Sequence, residues 1–368
     1  MSLAETRVEL VRVLQAPETA CQAAMPAWDR LLRLARRSLL LGTLGERFET
    51  TGRLSELPTA VRNTLVAELT LSRANARAVR WEAVCLRRAL AGLGVPVVLL
   101  KGAAYAVADL PPARGRLFGD IDILVPRERL DEIERVLGWY GWDSGKLDEY
   151  DQRYYRTWMH ELPPMMHRKR QSMLDVHHTI LPPTSRYHPD PAKLRAAALD
   201  VPGLPGVKVL APTDMVLHSA CHLFHEGEWD HGLRDLHDLD ALLRHFSAAD
   251  PGFWEALALR AEEMQLARPL HYALRYAKRI WQTPVPEALE RRLRARGGPN
   301  PVLAGVMDFL FGRAFVPEHE LTARPGDGLA RFCLYLRGHW LRMPLRLLLP
   351  HLLRKAFRPA PKPESEPA

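Results

Sequence analysis

The segment Asp120–Val125 is the part of the chain that most constrains its fold, because it sets two carboxylates into an otherwise apolar run. Residues two apart on a β-strand project to the same face, about 6.6–6.8 Å from each other along the strand. Asp120 and Asp122 therefore share one face, while Ile121 and Ile123 point the other way, towards a predicted core. Two aligned carboxylates at the edge of a sheet can hold one divalent cation, or two cations that bridge phosphate oxygens.

Short strands and helices alternate around this segment. Val95–Leu100 predicts a buried strand, and Lys101–Asp109 predicts a helix that follows it directly. Arg129–Leu137 predicts the next helix, and Ser172–Ile180 predicts a further strand. Alternating elements of this length are typical of a small sheet covered by helices. We therefore expect an α+β fold with a small mixed sheet, flanked by helical regions on its N-terminal and C-terminal sides.

The chain divides into four predicted regions. Leucine, alanine and arginine at helical spacing predict a helical N-terminal region over residues 1–92. Residues 93–183 form the predicted α/β core. Residues 184–357 form a larger helical region, which begins with a Pro/Gly-rich stretch and a short helix near Pro191–Ala198. Residues 358–368 are rich in proline and glutamate, so we expect a disordered tail.

The charge and the cysteines indicate which partners and which cellular compartment to expect. A formal charge of +8 favours anionic partners, which include nucleotides, nucleic acid and membrane surfaces. The four cysteines are scattered and form no CxxC pair, so we expect reduced thiols. Residues 1–10 lack an apolar stretch of signal-peptide length, and no segment has the roughly 18 apolar residues of a membrane span. These features predict a cytoplasmic protein.

Three elements converge on one predicted site. A glycine at the strand-to-helix turn Lys101-Gly102 lets backbone N–H groups approach an anion closely. Asp120 and Asp122 supply two carboxylates, and Asp175 lies inside a later apolar strand. If the two strands are neighbours, the three acids can form one metal site. Such a site suits phosphoryl or nucleotidyl transfer, in which metal ions neutralise charge on phosphate oxygens.

Four motifs carry a family resemblance: Leu100–Gly102, Arg116, Asp120–Val125 and Asp175–His177. Together they resemble the DNA polymerase beta-like nucleotidyltransferase superfamily. More narrowly, they resemble the bacterial group labelled uncharacterised nucleotidyltransferase family proteins. The resemblance covers roughly residues 20–245 and is sharpest between residues 97 and 180.

The resemblance implies a reaction and a cofactor. Asp120 and Asp122 would bind Mg²⁺, and Asp175 would be the third metal-binding carboxylate and would help to activate the attacking hydroxyl. The substrate would be a nucleoside triphosphate, with ATP the expected one. A nucleoside monophosphate would pass to an unknown hydroxyl or phosphate acceptor, with release of pyrophosphate.

Lys101, Gly102 and Arg116 are the predicted nucleotide-binding residues. The two cations would contact the triphosphate, because each places a fixed positive charge near an anionic substrate. Structural alternatives stand beside this hypothesis. Lys101 can be a solvated surface residue, and Arg116 can pair with Asp120 or Asp109 to hold the loop.

A second polar cluster lies on predicted helices after the core. His218, His222 and His225 form one stripe at helical spacing. One hypothesis is a metal-dependent phosphohydrolase, in which His218 and His222 act together with His237 and Asp238 on the next helix. The other is a helical hairpin whose polar stripe lines the substrate cleft or satisfies buried groups. We favour the hairpin.

Residues 331–358 contain seven Arg or Lys and no acid, interleaved with leucines. This pattern can contact an anionic membrane surface or a nucleic acid, and it suggests a third class, a non-catalytic anion-binding protein. Pro344 and Pro350 interrupt a long amphipathic helix, which weakens the case for a membrane. We favour helices that close the core and expose a solvated basic face, and we favour neither membrane nor nucleic acid as partner.

Overall fold

The structure is a computed structural model that describes residues 3–145, 149–225, 227 and 229–348. The predicted tail at residues 358–368 lies outside the described residues, as does the end of the basic segment after residue 348. No helix in the described ranges is both long enough and apolar enough to cross a membrane.

A seven-stranded sheet lies at the centre of the described chain. Its strands are β1 Val97–Leu100, β2 Asp120–Leu124, β3 Trp142–Asp143, β4 Met165–His167, β5 Met173–His177, β6 Leu199–Asp200 and β7 Val207–Val209. Their order across the sheet is β3-β4-β5-β2-β1-β7-β6. Strand β2 runs antiparallel to β1 and parallel to β5, and β1 runs parallel to β7. The sheet is mixed, and the predicted α+β class is confirmed.

Helices pack against the sheet. In the sequence they lie before the core, within it and after it. On the N-terminal side of the core, within it and directly after it, they are α1 Leu3–Gln15, α2 Met25–Arg37, α3 Leu41–Thr50, α4 Thr59–Leu90, α5 Lys101–Val107, α6 Leu130–Trp139, α7 Glu149–Trp158 and α8 Pro191–Ala197. On the C-terminal side they are α9 Pro212–His225, α10 Gly232–Ala249, α11 Phe253–Glu263, α12 Ala267–Tyr276, α13 Glu287–Gly297, α14 Pro301–Ala314 and α15 Asp327–Arg342.

The predicted elements of the core recur with small changes of boundary. Strand β1 is buried along its whole length, and Ile121 and Ile123 of β2 face the core as expected from alternation. The short helix predicted near Pro191–Ala198 is α8. The Asp190 carboxylate caps it by accepting hydrogen bonds from the backbone N–H groups of its first turn, and Pro191 needs no such acceptor.

Three parts of the chain differ from the sequence-based expectation. Strands β6 and β7 lie after residue 183, where only a short helix was predicted, so the sheet extends beyond the predicted core. The segment 138–170, for which no helix or strand was predicted, contains β3, α7 and β4. Within the predicted helical N-terminal region, the chain breaks between α2 and α3, where Leu39 has a positive φ of 55°. The division into four regions stays a prediction.

The loop before β2 is anchored to the N-terminal helices. The side chain of Asn75 on α4 accepts a hydrogen bond from the backbone N–H of Phe118 at 2.7 Å and donates one to its carbonyl at 3.1 Å. Gly115 has a φ of 71° and lies against the backbone of Gly42 on α3, with no room for a side chain between them. These contacts fix the chain immediately before Asp120.

Replacing Gly42 with alanine is expected to destabilise the protein by about 1–3 kcal/mol, because the new Cβ would overlap the Gly115 backbone. An ideal Cβ at Gly42 would be 2.1 Å from the carbonyl oxygen of Gly115. The matched control is Gly305→Ala in α14, where nothing lies within 4 Å. Helix propensity alone favours alanine at both positions by up to about 1 kcal/mol. Urea unfolding that shows both variants to be stabilised would contradict the close contact.

Candidate metal centre

The three predicted acids meet on one face of the sheet. In the register of β2 and β5, Asp122 lies opposite Asp175, and Asp120 lies on the same face two residues before Asp122. One ligand oxygen from each of the three lies within 4.8 Å of the other two. Asp120 is exposed, Asp175 is half-buried and Asp122 is buried, so the group leads from solvent into the core. An all-oxygen donor set of this kind suits Mg²⁺.

The two central acids have opposite electrostatic environments. Burial alone would raise the pKa of Asp122, but the Lys101 ammonium and a hydrogen bond with His177 hold it well below its usual range. Burial, together with the nearby Asp122 and Glu161 carboxylates, raises the pKa of Asp175 to about 7. Crowded carboxylates repel one another, and a bound cation relieves that repulsion. The raised pKa of Asp175 thus fits a site built around a cation.

Replacing Asp175 with asparagine is expected to stabilise the protein in EDTA, by about 1–3 kcal/mol at about pH 8. The folded pKa of about 7 lies above the unfolded value, so the folded state holds the Asp175 proton more tightly. Stability from this group is complete below the unfolded pKa and is lost as the pH rises through the folded pKa. The advantage of the variant should therefore shrink as the pH falls towards about 5.

Urea unfolding in EDTA across this pH range measures the effect, with Asp200→Asn on the exposed edge strand β6 as control. Added Mg²⁺ should stabilise the natural protein more than the Asp175 variant. A difference between the two proteins that does not change with pH would contradict the crowding of Asp175.

Lys101 and Gly102 form the turn between β1 and α5. The Nζ of Lys101 lies 3.4 Å from Asp122 Oδ1, and the side chain is mostly buried, so Lys101 is not a solvated surface lysine. Its φ of 43° is uncommon for a residue with a side chain, and such backbone strain clusters at functional sites. At Gly102 an ideal Cβ would lie 2.7 Å from Cδ1 of Phe118, so close packing requires glycine there.

Arg116 lies behind this turn and has a partner that the sequence did not indicate. Its guanidinium donates a hydrogen bond to the carboxylate of Asp238 on α10, and both side chains are largely buried. The guanidinium also lies over the rings of Tyr105 and Phe118, at 5.7 and 5.5 Å from their centroids. Asp109, a predicted alternative partner, pairs with Arg80. Burial and the neighbouring Arg234 lower the pKa of Arg116 to about 10.

His177 connects the three acids to two residues that the sequence analysis did not single out. Its Nε2 lies 2.8 Å from Asp122 Oδ1, and its Nδ1 lies 3.3 Å from Glu161 Oε2. The rings of His160 and His177 are 5.1 Å apart. His160 and Glu161 follow α7 in the segment 138–170, for which no helix or strand was predicted, and their backbone pairing with β5 brings them to the site.

The histidine-bearing helices have mainly structural contacts. The Nε2 of His225 lies 2.8 Å from the Ser185 hydroxyl, and the His237 ring packs edge-on against Trp281. His218 is buried, and burial together with the nearby Lys101 and His177 holds its pKa well below the usual range. Within the described ranges, the groups that could hold a metal are Asp120, Asp122, Asp175 and His160, Glu161, His177. Neither group contains His218, His222, His237 or Asp238, the residues of the phosphohydrolase hypothesis.

Part of the basic C-terminal segment faces inward. Arg331 donates to the carbonyl of Val316 at 2.8 Å, and Arg337 donates to the carbonyl of Phe224 at 2.7 Å. These two arginines therefore satisfy internal carbonyl groups. A contact of residues 331–358 with a membrane or a nucleic acid stays the alternative that we do not favour.

Comparison with known proteins identifies a family. Comparison with curated proteins gives no match, and comparison with solved structures gives none either. A family model described as "Uncharacterised nucleotidyltransferase" matches residues 25–282, well over half of the chain and the whole of the sheet described above. The match confirms the resemblance drawn from the sequence motifs. The chain belongs to the uncharacterised nucleotidyltransferase family.

Proposed function

We propose that the protein is a Mg²⁺-dependent nucleotidyltransferase that moves a nucleoside monophosphate from a nucleoside triphosphate, with ATP the expected donor, to a hydroxyl or phosphate acceptor. Membership of the family supports nucleotidyl transfer as the general kind of reaction. The observation that carries the proposal is the meeting of Asp120, Asp122 and Asp175 on one sheet face, with ligand oxygens within 4.8 Å of one another.

The three carboxylates fit the cofactor that we assign to them. Mg²⁺ prefers oxygen ligands and is usually bound through a few carboxylates together with substrate phosphates. Asp120, Asp122 and Asp175 would hold it, and when bound it would neutralise charge on the phosphate oxygens. The exposure of Asp120 at one end of the group leaves an approach for the triphosphate from solvent.

The chain's own residues supply the remaining parts of the proposed mechanism. The Asp175 carboxylate lies beside the other two acids, where it would accept the proton of the attacking hydroxyl. Lys101 lies beside the acids, where its ammonium can contact a bound phosphate. The guanidinium of Arg116 lies 3.3 Å from the position that a Cβ at Gly102 would occupy. Its positive charge is therefore next to the turn that would contact the triphosphate. The backbone of Gly102 would contact the triphosphate, while Phe118 packs where a side chain at this position would be.

We also propose a cytoplasmic location for the reaction. The four cysteines are all free, which supports a reducing environment. Asp120, Asp122 and Asp175 are called the triad below. The acceptor must be selected by surfaces outside the triad, since many acceptors are compatible with one nucleotidyltransferase fold. The helical regions on both sides of the sheet are the parts of the chain available for that selection.

A labelling experiment tests the proposal and identifies the acceptor. The purified protein is incubated with each of the four NTPs, labelled at the α-phosphate, together with Mg²⁺ and an extract of the host cell. The expected result is one labelled product, formed with one preferred NTP and absent in EDTA. The double variant Asp120→Ala/Asp122→Ala should form none. Undiminished labelling by that variant would contradict the proposed site.

A further inference from the structure

A second group of metal-ligating side chains lies directly beside the three acids. It consists of His160, Glu161 and His177, and its ligand atoms lie within 4.8 Å of one another. His160 is 6% exposed and His177 is 2% exposed, so both rings are inside the protein. The Glu161 side chain is 16% exposed and provides a path to solvent.

The hydrogen bonds of His177 leave one ring nitrogen directed at a carboxylate. Nε2 donates its proton to Asp122 Oδ1 at 2.8 Å, because a carboxylate oxygen can only accept. Nδ1 of the neutral ring then presents a lone pair to Glu161 Oε2, 3.3 Å away. Among the described residues this buried nitrogen has no hydrogen-bond partner, and neither has Nδ1 of His160. Buried polar atoms are nearly always satisfied. A cation bound by His177 Nδ1, Glu161 and His160 Nε2, the His160 nitrogen that faces Glu161, would resolve the exception at His177.

The backbone holds the three side chains in place. The N–H of Leu162 donates to the carbonyl of Val176 at 2.9 Å, and the N–H of His178 donates to the carbonyl of His160 at 2.9 Å. Residues 160–162 therefore pair antiparallel with the C-terminal end of β5. Ligands on hydrogen-bonded backbone need little rearrangement to close on an ion.

We propose that His160, Glu161 and His177 form a second divalent-cation site, which takes a transition metal such as Zn²⁺ in preference to Mg²⁺. Two imidazoles and one carboxylate are a ligand set of open zinc sites, which leave a position for water or substrate, whereas Mg²⁺ prefers oxygen alone. Zinc lies about 2.0–2.2 Å from its ligands, which places neighbouring ligands about 3.3–3.6 Å apart. The distance of 3.3 Å between His177 and Glu161 meets this requirement, and that of 3.8 Å between His160 and Glu161 is close to it.

The bond between His177 and Asp122 links this site to the triad. A metal-bound histidine commonly donates its other ring N–H to a carboxylate, which fixes the tautomer and the orientation of the ring. Here that carboxylate is Asp122, the buried member of the triad. An ion at the second site would thus hold Asp122 in position without contacting it. The site itself does not depend on the proposed reaction, and each can fail without the other.

Cobalt(II) absorption spectroscopy tests the second site without any assay of transfer. The full-length protein is stripped with EDTA, saturated with Mg²⁺ to fill the oxygen site, and titrated with Co²⁺. We expect visible bands of nitrogen-ligated Co²⁺ at one ion per chain, which added Zn²⁺ abolishes. The variant His160→Gln should weaken Co²⁺ binding by about 100-fold or more.

Two control variants make the result specific. His178→Gln removes the neighbouring buried histidine, whose Nε2 faces the carbonyl of Met159 at 3.3 Å, and should leave Co²⁺ binding intact. Asp120→Asn damages the oxygen site and should also leave the Co²⁺ bands intact.

Circular dichroism checks that each variant is folded. If the natural protein shows no Co²⁺ bands, or if folded His160→Gln binds Co²⁺ as tightly as the natural protein, the second site is refuted. His177 is then a doubly protonated imidazolium between Asp122 and Glu161.

Discussion

Asp122→Asn is expected to lower the rate of nucleotidyl transfer by about 10³-fold, the largest effect of any single substitution in this chain. Asp122 lies at the centre of the site. It is opposite Asp175 across β2 and β5, and it contacts both the Lys101 ammonium and the His177 ring. Asparagine keeps the shape but removes the negative charge, so it weakens metal binding and leaves the Lys101 ammonium without its counter-charge.

The rate is measured as pyrophosphate release from the preferred NTP in the presence of the acceptor fraction. Asp200→Asn, on the edge strand β6, is the matched control and should retain the rate of the natural protein, since Asp200 is exposed and pairs with Lys208. Urea unfolding must show that Asp122→Asn is folded. A folded variant that keeps its rate to within about tenfold would remove Asp122 from the proposed chemistry.

Asp238→Ala is expected to cost about 3–5 kcal/mol of folding stability, because it leaves the Arg116 guanidinium buried without its partner. The Arg116 side chain is 12% exposed and that of Asp238 is 6% exposed, so water cannot replace the lost carboxylate. The neighbouring Arg234 adds repulsion to an uncompensated charge at this position. The double variant Arg116→Met/Asp238→Leu should recover much of the loss, because it removes both charges.

The exposed pair between Arg168 and Asp143 provides the comparison. Their side chains are 64% and 48% exposed, so Asp143→Ala should cost much less than Asp238→Ala. Urea unfolding of the three variants measures all of these differences. If Asp238→Ala costs no more than Asp143→Ala, the Arg116–Asp238 contact does not hold the loop before β2.

The triad was predictable because its signals are local. Alternation along a strand places Asp120 and Asp122 on one face wherever that strand lies, and Asp175 has the same apolar surroundings as that pair. The pairing of β2 with β5 was the one assumption, and the observed register puts Asp122 opposite Asp175. The local signals of Lys101 and Gly102 likewise located the turn correctly, although not the contact of Lys101 with Asp122.

The contacts that were not predicted join distant parts of the chain. Arg116 and Asp238 are 122 residues apart, and no periodicity in either segment indicates the other. His160 and Glu161 reach the site through a short backbone pairing beyond any named strand, and such a pairing has no hydrophobic repeat. Strand β6 contains two residues and β7 contains three, and both lie in a Pro/Gly-rich segment. Strands this short do not show the alternation of apolar and polar residues by which a strand is predicted.

We propose that this protein breaks the bond between the α- and β-phosphates of an NTP and transfers the α-phosphate, with its nucleoside, to the acceptor. The most direct test compares the preferred NTP labelled at the α-phosphate with the same NTP labelled at the γ-phosphate, in parallel reactions with Mg²⁺ and the acceptor fraction. We expect the α-label to enter the product and the γ-label to leave as pyrophosphate. Transfer of the γ-label to the product, or its release as orthophosphate with no α-labelled product, would contradict nucleotidyl transfer.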